Sequence, residues 1–386
     1  MTTLRLSQFE IPDGVIDLGL GQPDRSVYPV EAMREASAAV LGGHDHEFLQ
    51  YGAEYGERLH RLALATFLTD AYGVSVDPEH VLTTNGNSHA LDVVCTLFTR
   101  PGDVVVVEDP TYFFAPGIFA DHGLTVVGVP LDGEGIDTAA LAERLSALRA
   151  AGTPARFVYC IPSSQNPTGI SASAARRREL VDLAHEHDLL IVADEVYHLL
   201  EYGPPGPPPM SAYADSGRVL SLGTFSKILS PGLRLGWIHA APPLLARIAD
   251  CGLVISGGGF NPFTSAIATH VIESGSLAQN IAALCTEYSH RLHVVDEALR
   301  RHMPADVSWT APTGGYFVWL NLPAGVDGSA VRQAGRESGV DVRQGSLFAV
   351  SGNFDSHLRL CIARYRADDL GEGIARLGTA VRAVLS

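Results

Sequence analysis

The sequence predicts an α/β protein built around a mostly parallel sheet, and two patterns lead to this prediction. In the middle of the chain, helical stretches alternate with short β-branched runs, which span residues 103–109, 124–130, 156–162, 189–197 and 218–225. This alternation is typical of a parallel sheet with helices on both faces. After about residue 285 the pattern changes to a long amphipathic helix followed by alternating strands, which predicts a smaller α+β unit.

In the first part of the chain, residue types predict the helices and the loop that connect the strands. Helices are predicted at residues 138–150 and 171–187, and the second begins at Ser171 or Ser173, because either hydroxyl is a suitable N-cap. The segment GPPGPPPM at 203–210 contains five prolines, which remove backbone donors and fix φ. It therefore predicts a surface loop.

The second part contains a helix at 286–302, strands at 315–322 and 358–363, and a closing helix. Residues 1–40 are too few to fold alone. We therefore expect a large domain of residues 41–285. Residues 286–386 together with residues 1–40 are expected to form a small domain, with an N-terminal arm that packs on it or covers the site.

Composition and charge argue against several classes of function. The formal net charge of −16, without any basic run, opposes binding to nucleic acid. The apolar runs are of strand length and the first residues lack a signal-peptide core, so we expect no membrane association and a cytoplasmic location. The five cysteines are scattered and odd in number, as in a reducing compartment. No metal site is expected, because His185 and His187 diverge on a helix.

Lys227 is the first candidate for chemistry. It follows a predicted strand in SLGTFSKILSPGLRLGW (221–237), with hydroxyls at 224 and 226 and Arg234 seven residues further on. A lysine at the end of a strand, beside groups suited to a phosphate, is a candidate Schiff-base nucleophile. A surface lysine in a serine-rich turn is the alternative that this segment alone leaves open.

Two further segments carry polar groups at the ends of apolar strands. In LTTNGNSHALDVV (82–94) the chain turns through Gly86, Asn87 and Ser88 into a helix whose free N–H groups suit a phosphate, although a plain N-cap looks similar. In LLIVADEVY (189–197) Asp194 ends an apolar strand, where an unpaired carboxylate is costly. A protonated pyridine nitrogen or a structural arginine would each satisfy this carboxylate.

Together with LQYGAEYGE, SQNPTG and GGYFVWL, these segments resemble the class I/II aminotransferases of PLP fold type I, from about residue 15 to the end. The likeness is nearest to the 2-aminoadipate and aromatic aminotransferase subgroup. It implies the PLP-dependent transferase fold, in which a large domain with a mostly parallel seven-stranded sheet is joined to a smaller α+β domain. It also implies pyridoxal 5'-phosphate (PLP) as the cofactor.

The resemblance assigns roles to individual residues. Lys227 would form the Schiff base and move the substrate's Cα proton, Asp194 would pair with the cofactor's pyridinium, and Tyr112 would stack on its ring. Asn166 and Tyr197 would donate to its phenolic oxygen. The cofactor phosphate would be bound at Gly86, Asn87, Ser88, Thr224, Ser226 and Arg234.

Substrate and subunit contacts are implied in the same way. Arg359, rather than Arg364, would bind the substrate's α-carboxylate, and Gly21 would lie against the substrate near Asn166. Tyr28 and Phe260 are candidates for the side-chain pocket. Tyr51 would reach the phosphate of a neighbouring subunit, which implies a homodimer with shared active sites.

The implied reaction moves an amino group between an L-amino acid and a 2-oxoacid. The alternative is a PLP enzyme of specialised metabolism that diverts the same carbanion to β/γ-elimination, replacement or cyclisation. A MocR-type regulator shares this module but needs a winged-helix domain before it, which is not expected because few residues precede the first motif. A strict aspartate or glutamate preference is not expected either, because GGGFNPFTSA (257–266) has no arginine.

Overall fold

The computed structural model describes residues 11–386, and its strands follow the predicted alternation. In chain order the strands are β1 Ile16–Asp17, β2 Val81–Thr84, β3 Val104–Asp109, β4 Thr125–Asp132, β5 Gly135–Ile136, β6 Ala155–Cys160, β7 Leu190–Asp194, β8 Val219–Thr224, β9 Gly236–Ala240, β10 Ser308–Trp309, β11 Phe317–Asn321, β12 Val340–Asp341, β13 Arg343–Gln344 and β14 His357–Cys361. The predicted strands of the first part are each present, shifted by three residues at most at either end.

The helices lie between these strands and after the last of them. They are α1 Val30–Gly42, α2 Arg58–Tyr72, α3 Asn87–Phe98, α4 Ala115–Asp121, α5 Thr138–Ala150, α6 Ala174–Glu186, α7 Pro242–Ala249, α8 Gly252–Gly257, α9 Pro262–Glu273, α10 Ser276–His302, α11 Gly328–Glu337 and α12 Ala367–Leu385. Of the two candidate caps, Ser173 is the N-cap of α6, because its side chain accepts from the N–H of Arg176. None of the helices in residues 11–386 has both the length and the apolar character that crossing a membrane requires.

The large sheet has the strand order β2-β9-β8-β7-β6-β3-β4-β5. Neighbours from β8 to β4 run parallel, whereas β9 is antiparallel to both β2 and β8. The resemblance implied seven strands, and among the described residues the sheet adds an eighth, the two-residue β5, which folds back on β4. Every residue of β3 and β8 is buried, as expected for strands covered by helices on both faces.

The carboxyl ends of the parallel strands meet at one edge of this sheet. Asp194 is the last residue of β7 and Thr224 the last of β8, and α3 begins three residues after β2 ends. Ligands of open α/β sheets bind at this edge, because polar groups of several loops converge there. The strand order therefore brings together the three segments that the sequence analysis selected.

The C-terminal part forms a second, antiparallel sheet in the order β10-β11-β14-β13. Helix α10 begins ten residues before the predicted start, because the apolar spacing continues upstream through Leu277, Ile281 and Leu284. The predicted boundary between residues 285 and 286 thus lies inside one continuous helix.

The first described residues join this second part. Strand β1 pairs in parallel with β12, and the carbonyl of Leu18 accepts from the N–H of Cys361 at 2.6 Å. Residues 16–21 are therefore held between β12 and β14, and this places Gly19 and Gly21 beside the edge of the large sheet. The loop at 203–210 is largely exposed, as its prolines predicted.

Candidate active site

A cleft of about 790 Å³ opens at the carboxyl edge of the large sheet and is closed by β11, β13, β14 and residues 19–22. Most of the residues that the sequence analysis selected line it: Gly21, Tyr28, Asn87, Ser88, Tyr112, Asn166, Asp194, Tyr197, Thr224, Ser226, Lys227, Arg234 and Arg359. Gly86, Tyr51 and Phe260 are not among the lining residues. The fold thus gathers side chains from positions 21 to 359 into one cavity.

Lys227 follows β8 and points into this cleft. Its Nζ donates to the carbonyl of Gly21 at 3.2 Å and lies 5.4 Å from the ring centre of Tyr316. Burial lowers the pKa of Lys227 to about 8, because the charged form loses hydration. An amine with such a pKa has a substantial neutral, nucleophilic fraction near neutral pH. Lys227 is also the only lysine in the 386 residues, since the other cations are arginines.

Asp194 lies buried at the end of β7 with two donors on its carboxylate. The Nδ2 of Asn87 donates to Oδ1 at 2.6 Å, and the hydroxyl of Tyr159 donates to Oδ2 at 2.8 Å. Burial raises the pKa of Asp194, while these two hydrogen bonds and Lys227 act in the opposite direction. A buried carboxylate with neutral donors alone is well suited to a cationic ligand atom in the cleft.

The start of α3 forms one end of the cleft. Gly86, just before the helix, has a φ of +87°, and a Cβ added there would lie 3.1 Å from Nη2 of Arg234. Gly86 therefore lets the guanidinium of Arg234 approach the helix terminus without itself lining the cleft. The hydroxyl of Thr224 donates to that of Ser226 at 2.9 Å on the same side. Helix N–H groups, hydroxyls and an arginine are the donors that a phosphate dianion requires.

Arg359 on β14 forms the opposite end. Its Nη1 donates to Oδ1 of Asn166 at 2.8 Å and its Nη2 to the carbonyl of Gly19 at 2.6 Å, whereas its buried Nε has no hydrogen-bond partner among the described residues. Burial lowers the pKa of Arg359 to about 10, so it stays charged at neutral pH. A buried cation with only neutral acceptors and one unused donor is suited to an anion.

Aromatic rings cover this arginine. The guanidinium carbon of Arg359 lies 4.1 Å from the ring centre of Phe317 and 4.7 Å from that of Phe348. Asp109 holds the loop that follows Phe348, because its carboxylate accepts from the N–H groups of Val350 and Ser351 at 2.9 Å and of Gly352 at 2.7 Å. Phe348 is thereby kept over the arginine.

The remaining selected residues occupy the walls. Burial raises the pKa of Tyr112 to about 12, and Tyr197 is buried with its ring centre 5.3 Å from that of Tyr316. A Cβ on Gly21 would lie 2.9 Å from the ring of Phe317, so only glycine fits at this point. Phe260 packs instead on His89, at 4.4 Å between ring centres, and 77% of Tyr51 is exposed.

Sequence reasoning missed several lining residues, chiefly Gly19, Phe113, Tyr159, Phe317 and Arg343. Tyr159 had a usable signal, because a tyrosine in the otherwise apolar run RFVYCIP needs a hydrogen-bond partner when it is buried. Arg343 had none, since Asp17, which binds both ends of its guanidinium, is far away in the chain.

The chain is similar to known proteins over nearly its whole length. The family model described as aminotransferase class I and II matches residues 13–377. An aromatic-amino-acid aminotransferase of Thermococcus litoralis is 36% identical, over 95% of this chain and 88% of that protein. A 2-aminoadipate transaminase of Thermus thermophilus is 32% identical, over 97% of this chain and 91% of that protein. The crystal structure of a multiple substrate aminotransferase from Thermococcus profundus superposes with a TM-score of 0.91 and 35% identity, covering 97% of this chain and 93% of that one.

The cofactor of this family, pyridoxal 5'-phosphate, fits the groups that the cleft offers. It carries a phosphate, a ring nitrogen that can be protonated and an aldehyde, and the cleft presents an anion-binding helix start, a buried carboxylate and a single lysine in one cavity. Together with the match over residues 13–377, this fit shows that the chain belongs to the class I and II aminotransferase family and is a PLP-dependent transaminase.

Proposed function

We propose that this transaminase acts on L-amino acids with apolar or aromatic side chains and that Lys227 is its catalytic amine. One observation carries the proposal: Lys227 lies in the same cleft as a buried carboxylate, Asp194, and a buried arginine with an unused donor, Arg359. The substrate class is supported by the cleft wall, which includes Leu20, Tyr28, Phe113, Phe114 and Ile118. The relative from Thermococcus litoralis is named for aromatic amino acids, in agreement with this wall.

The cofactor would be held at three points. Asn87, Ser88, Thr224, Ser226 and Arg234 would bind its phosphate, Asp194 would bind its protonated ring nitrogen, and Lys227 would hold it covalently. Asn166 and Tyr197 would bind its phenolic oxygen, and Tyr112 would lie on its ring. When bound, the cofactor supplies an electron sink that stabilises negative charge at the substrate's Cα.

The chain's own residues then orient the substrate and move one proton. Arg359 would bind the α-carboxylate, and its fork of donors fixes the orientation of the Cα–H bond. Once the substrate's amino group has displaced Lys227 from the cofactor, the freed Nζ would take the Cα proton and return it to the cofactor carbon on the other side of the transferred nitrogen, which the lowered pKa of Lys227 allows near neutral pH. Phe317 and Phe348 would exclude water from the carboxylate end.

A single-turnover measurement tests this function. The purified holoenzyme is mixed with a panel of amino acids without oxygen, the absorbance of the bound cofactor is followed, and the products are identified by mass spectrometry. We expect one equivalent of 2-oxoacid per site and a cofactor that keeps the amino group, fastest with apolar and aromatic substrates. Lys227→Ala is the matched control and should give none. Ammonia or a cyclised product in place of the oxoacid would contradict transamination.

We further propose that the protein is a homodimer in which Tyr51 serves the active site of the other subunit. Tyr51 is exposed in the single chain, and large apolar side chains on neighbouring segments are exposed as well: Leu49 by 64%, Leu253 by 63% and Ile255 by 58%. The Cβ of Tyr51 lies 3.1 Å from the Cβ position of Gly258, which places it beside α8. Exposed apolar surface of this kind commonly marks a protein interface.

A cytoplasmic location is part of the same proposal. Cys95, Cys160 and Cys361 are buried free thiols, Cys251 and Cys285 are partly buried free thiols, and no disulfide forms among the described residues. Such thiols agree with a reducing compartment. Thiol titration with and without denaturant, on protein prepared from its native source, would check their redox state, and oxidised cysteines would contradict the proposal.

A further inference from the structure

One arginine of the cleft has no part in the proposed reaction. Four cations line the cavity, namely Lys227, Arg234, Arg343 and Arg359, against the single carboxylate of Asp194. The proposed function gives a ligand to Lys227, Arg234 and Arg359. Arg343 is left without one, although its side chain lines the same cavity.

Arg343 and Arg359 are direct neighbours across the strands. In the antiparallel pair of β13 and β14, Arg343 is opposite Arg359. Residues directly opposite each other project from the same face of a sheet, and two like charges in such positions destabilise it. A counter-ion is therefore needed close to Arg343.

Asp17 is that counter-ion. Its Oδ2 lies 3.2 Å from Nη2 of Arg343 and its Oδ1 lies 3.4 Å from Nη1, so the carboxylate engages both ends of the guanidinium. Asp341 approaches Nη1 at 3.5 Å, but its two oxygens already accept from Arg332 at 2.7 and 3.1 Å. Asp17 thus carries most of the compensation for Arg343.

Asp17 does this from behind the wall of the cleft. It is buried and is absent from the lining residues, whereas Arg343 lines the cavity. The same carboxylate accepts from the N–H of Gly19 at 2.8 Å, and a Cβ on Gly19 would lie 2.7 Å from Nη1 of Arg343. The missing side chain at Gly19 lets the guanidinium reach the surface of the cavity with its charge already balanced.

We propose that Asp17 sets the side-chain specificity of this transaminase by occupying Arg343 in place of a second substrate carboxylate. The wall then presents a balanced ion pair, so amino acids with neutral side chains bind better than those with a distal carboxylate. Without Asp17, Arg343 becomes a binding site for that distal carboxylate, at the same face of the sheet as Arg359. This inference rests on the proposed function.

Asp17→Asn tests it with little change in shape. The asparagine keeps one oxygen for the N–H of Gly19 and loses the negative charge that Arg343 requires. With holoenzyme, kcat/KM of the amino-donor half-reaction is measured for phenylalanine and leucine against glutamate and 2-aminoadipate. We expect the ratio of acidic to neutral substrates to rise at least about tenfold, because a freed arginine gains a charge-assisted, bidentate partner. Adding Arg343→Gln should remove that gain.

Asp341→Asn is the matched control. It makes the same chemical change beside the same arginine, but it leaves both contacts between Asp17 and Arg343 in place. The substrate ratio should therefore stay within about twofold of wild type. If Asp17→Asn does not fold, Asp17→Ser offers a hydroxyl to the N–H of Gly19 and tests the same point.

The outcomes separate the two proposals. A wild-type enzyme that forms no oxoacid from any amino acid would overturn the proposed function itself. A wild-type enzyme that transaminates, with an Asp17 variant that slows all substrates alike, would overturn the role of Asp17 in specificity only. A gain toward acidic substrates that persists after Arg343→Gln would also overturn it, because the gain would then not come from Arg343.

Discussion

Lys227 and Arg359 show how similar burial leaves two kinds of cation with different pKa values, because an arginine starts from a higher one. Burial lowers the pKa of Lys227 to about 8, within reach of neutral pH, whereas the pKa of Arg359 falls only to about 10. A lysine can therefore exchange a proton in this cleft, and an arginine cannot. This difference fits one residue to proton transfer and the other to permanent binding of an anion.

The lowered pKa of Lys227 can be measured directly because the chain has no other lysine. In the cofactor-free protein we expect the rate of modification by an amine-reactive reagent to rise with pH around a midpoint near 8, since burial favours the neutral amine. The modified peptide is identified by mass spectrometry, which separates it from the N-terminal amine. A midpoint near the ordinary value of 10.5 would contradict the burial of this side chain.

Asp194→Asn removes the charge that would keep the cofactor's ring nitrogen protonated. We expect the rate of Cα proton abstraction to fall at least about 100-fold while the apoprotein keeps its stability, because the amide fills the same space. Tyr159→Phe is the graded comparison. It removes one donor from Asp194, at 2.8 Å, and should cost about tenfold or less. Stopped-flow absorbance of the half-reaction measures both, and near-normal rates in Asp194→Asn would disprove its role.

Arg359→Lys keeps the positive charge and removes the fork of donors. We expect kcat/KM for amino acids to fall about 100-fold, because a lysine cannot bind a carboxylate at two points. Cofactor affinity should stay within about threefold, since the phosphate end of the cleft is untouched. Equilibrium titration of the apoprotein with the cofactor provides that comparison, and equal losses in both would contradict the assignment.

At the scale of elements, the turn before α3 places a strict steric demand on residue 86. We expect Gly86→Ala to weaken cofactor binding about tenfold, because a Cβ there lies 3.1 Å from Nη2 of Arg234 and the φ is +87°. Gly102→Ala is a matched control, since its φ is +90° but nothing lies within 4 Å of its Cβ position. Both should lose free energy of unfolding, on the order of 1 to 3 kcal/mol, because a positive φ strains a residue with a Cβ. Equal cofactor affinity in the two variants would show that Arg234 is not displaced.

The elements that could be predicted are those whose sequence signals lie within a few residues of each other. Helix α5 has the predicted bounds, and Ser173 caps α6, because a periodic apolar pattern and a hydroxyl cap are readable within a few residues. The predicted start of α10 was wrong, because Gly275 before the helix does not by itself mark a helix start. The apolar spacing that belongs to the helix continues upstream of the predicted start. The pair of Asp17 and Arg343 joins residues 326 positions apart, so no local pattern could reveal it.

At the scale of the whole molecule, the predicted homodimer leads to a complementation experiment. If Tyr51 serves the other subunit's site, a hybrid of Lys227→Ala and Tyr51→Ala subunits contains one site with both changes and one with neither. Mixing the two inactive variants, after subunit exchange, should therefore restore up to about a quarter of wild-type activity. If Tyr51 serves its own subunit, no site in the hybrid is intact, and the activity of the mixture stays at the mean of the two separate variants.

Residues near both ends of the described chain line the cleft, and this has a consequence for biosynthesis. The residues proposed for the phosphate lie between positions 86 and 234, whereas the carboxylate end needs Gly19, two residues after β1, and Arg359 from β14. At about 5 to 20 residues per second, a ribosome needs roughly 6 to 25 s to translate from residue 234 to residue 359. A nascent chain thus contains its proposed phosphate-binding residues before the arginine proposed for the substrate carboxylate has been made, and the order of translation permits cofactor binding before substrate selection.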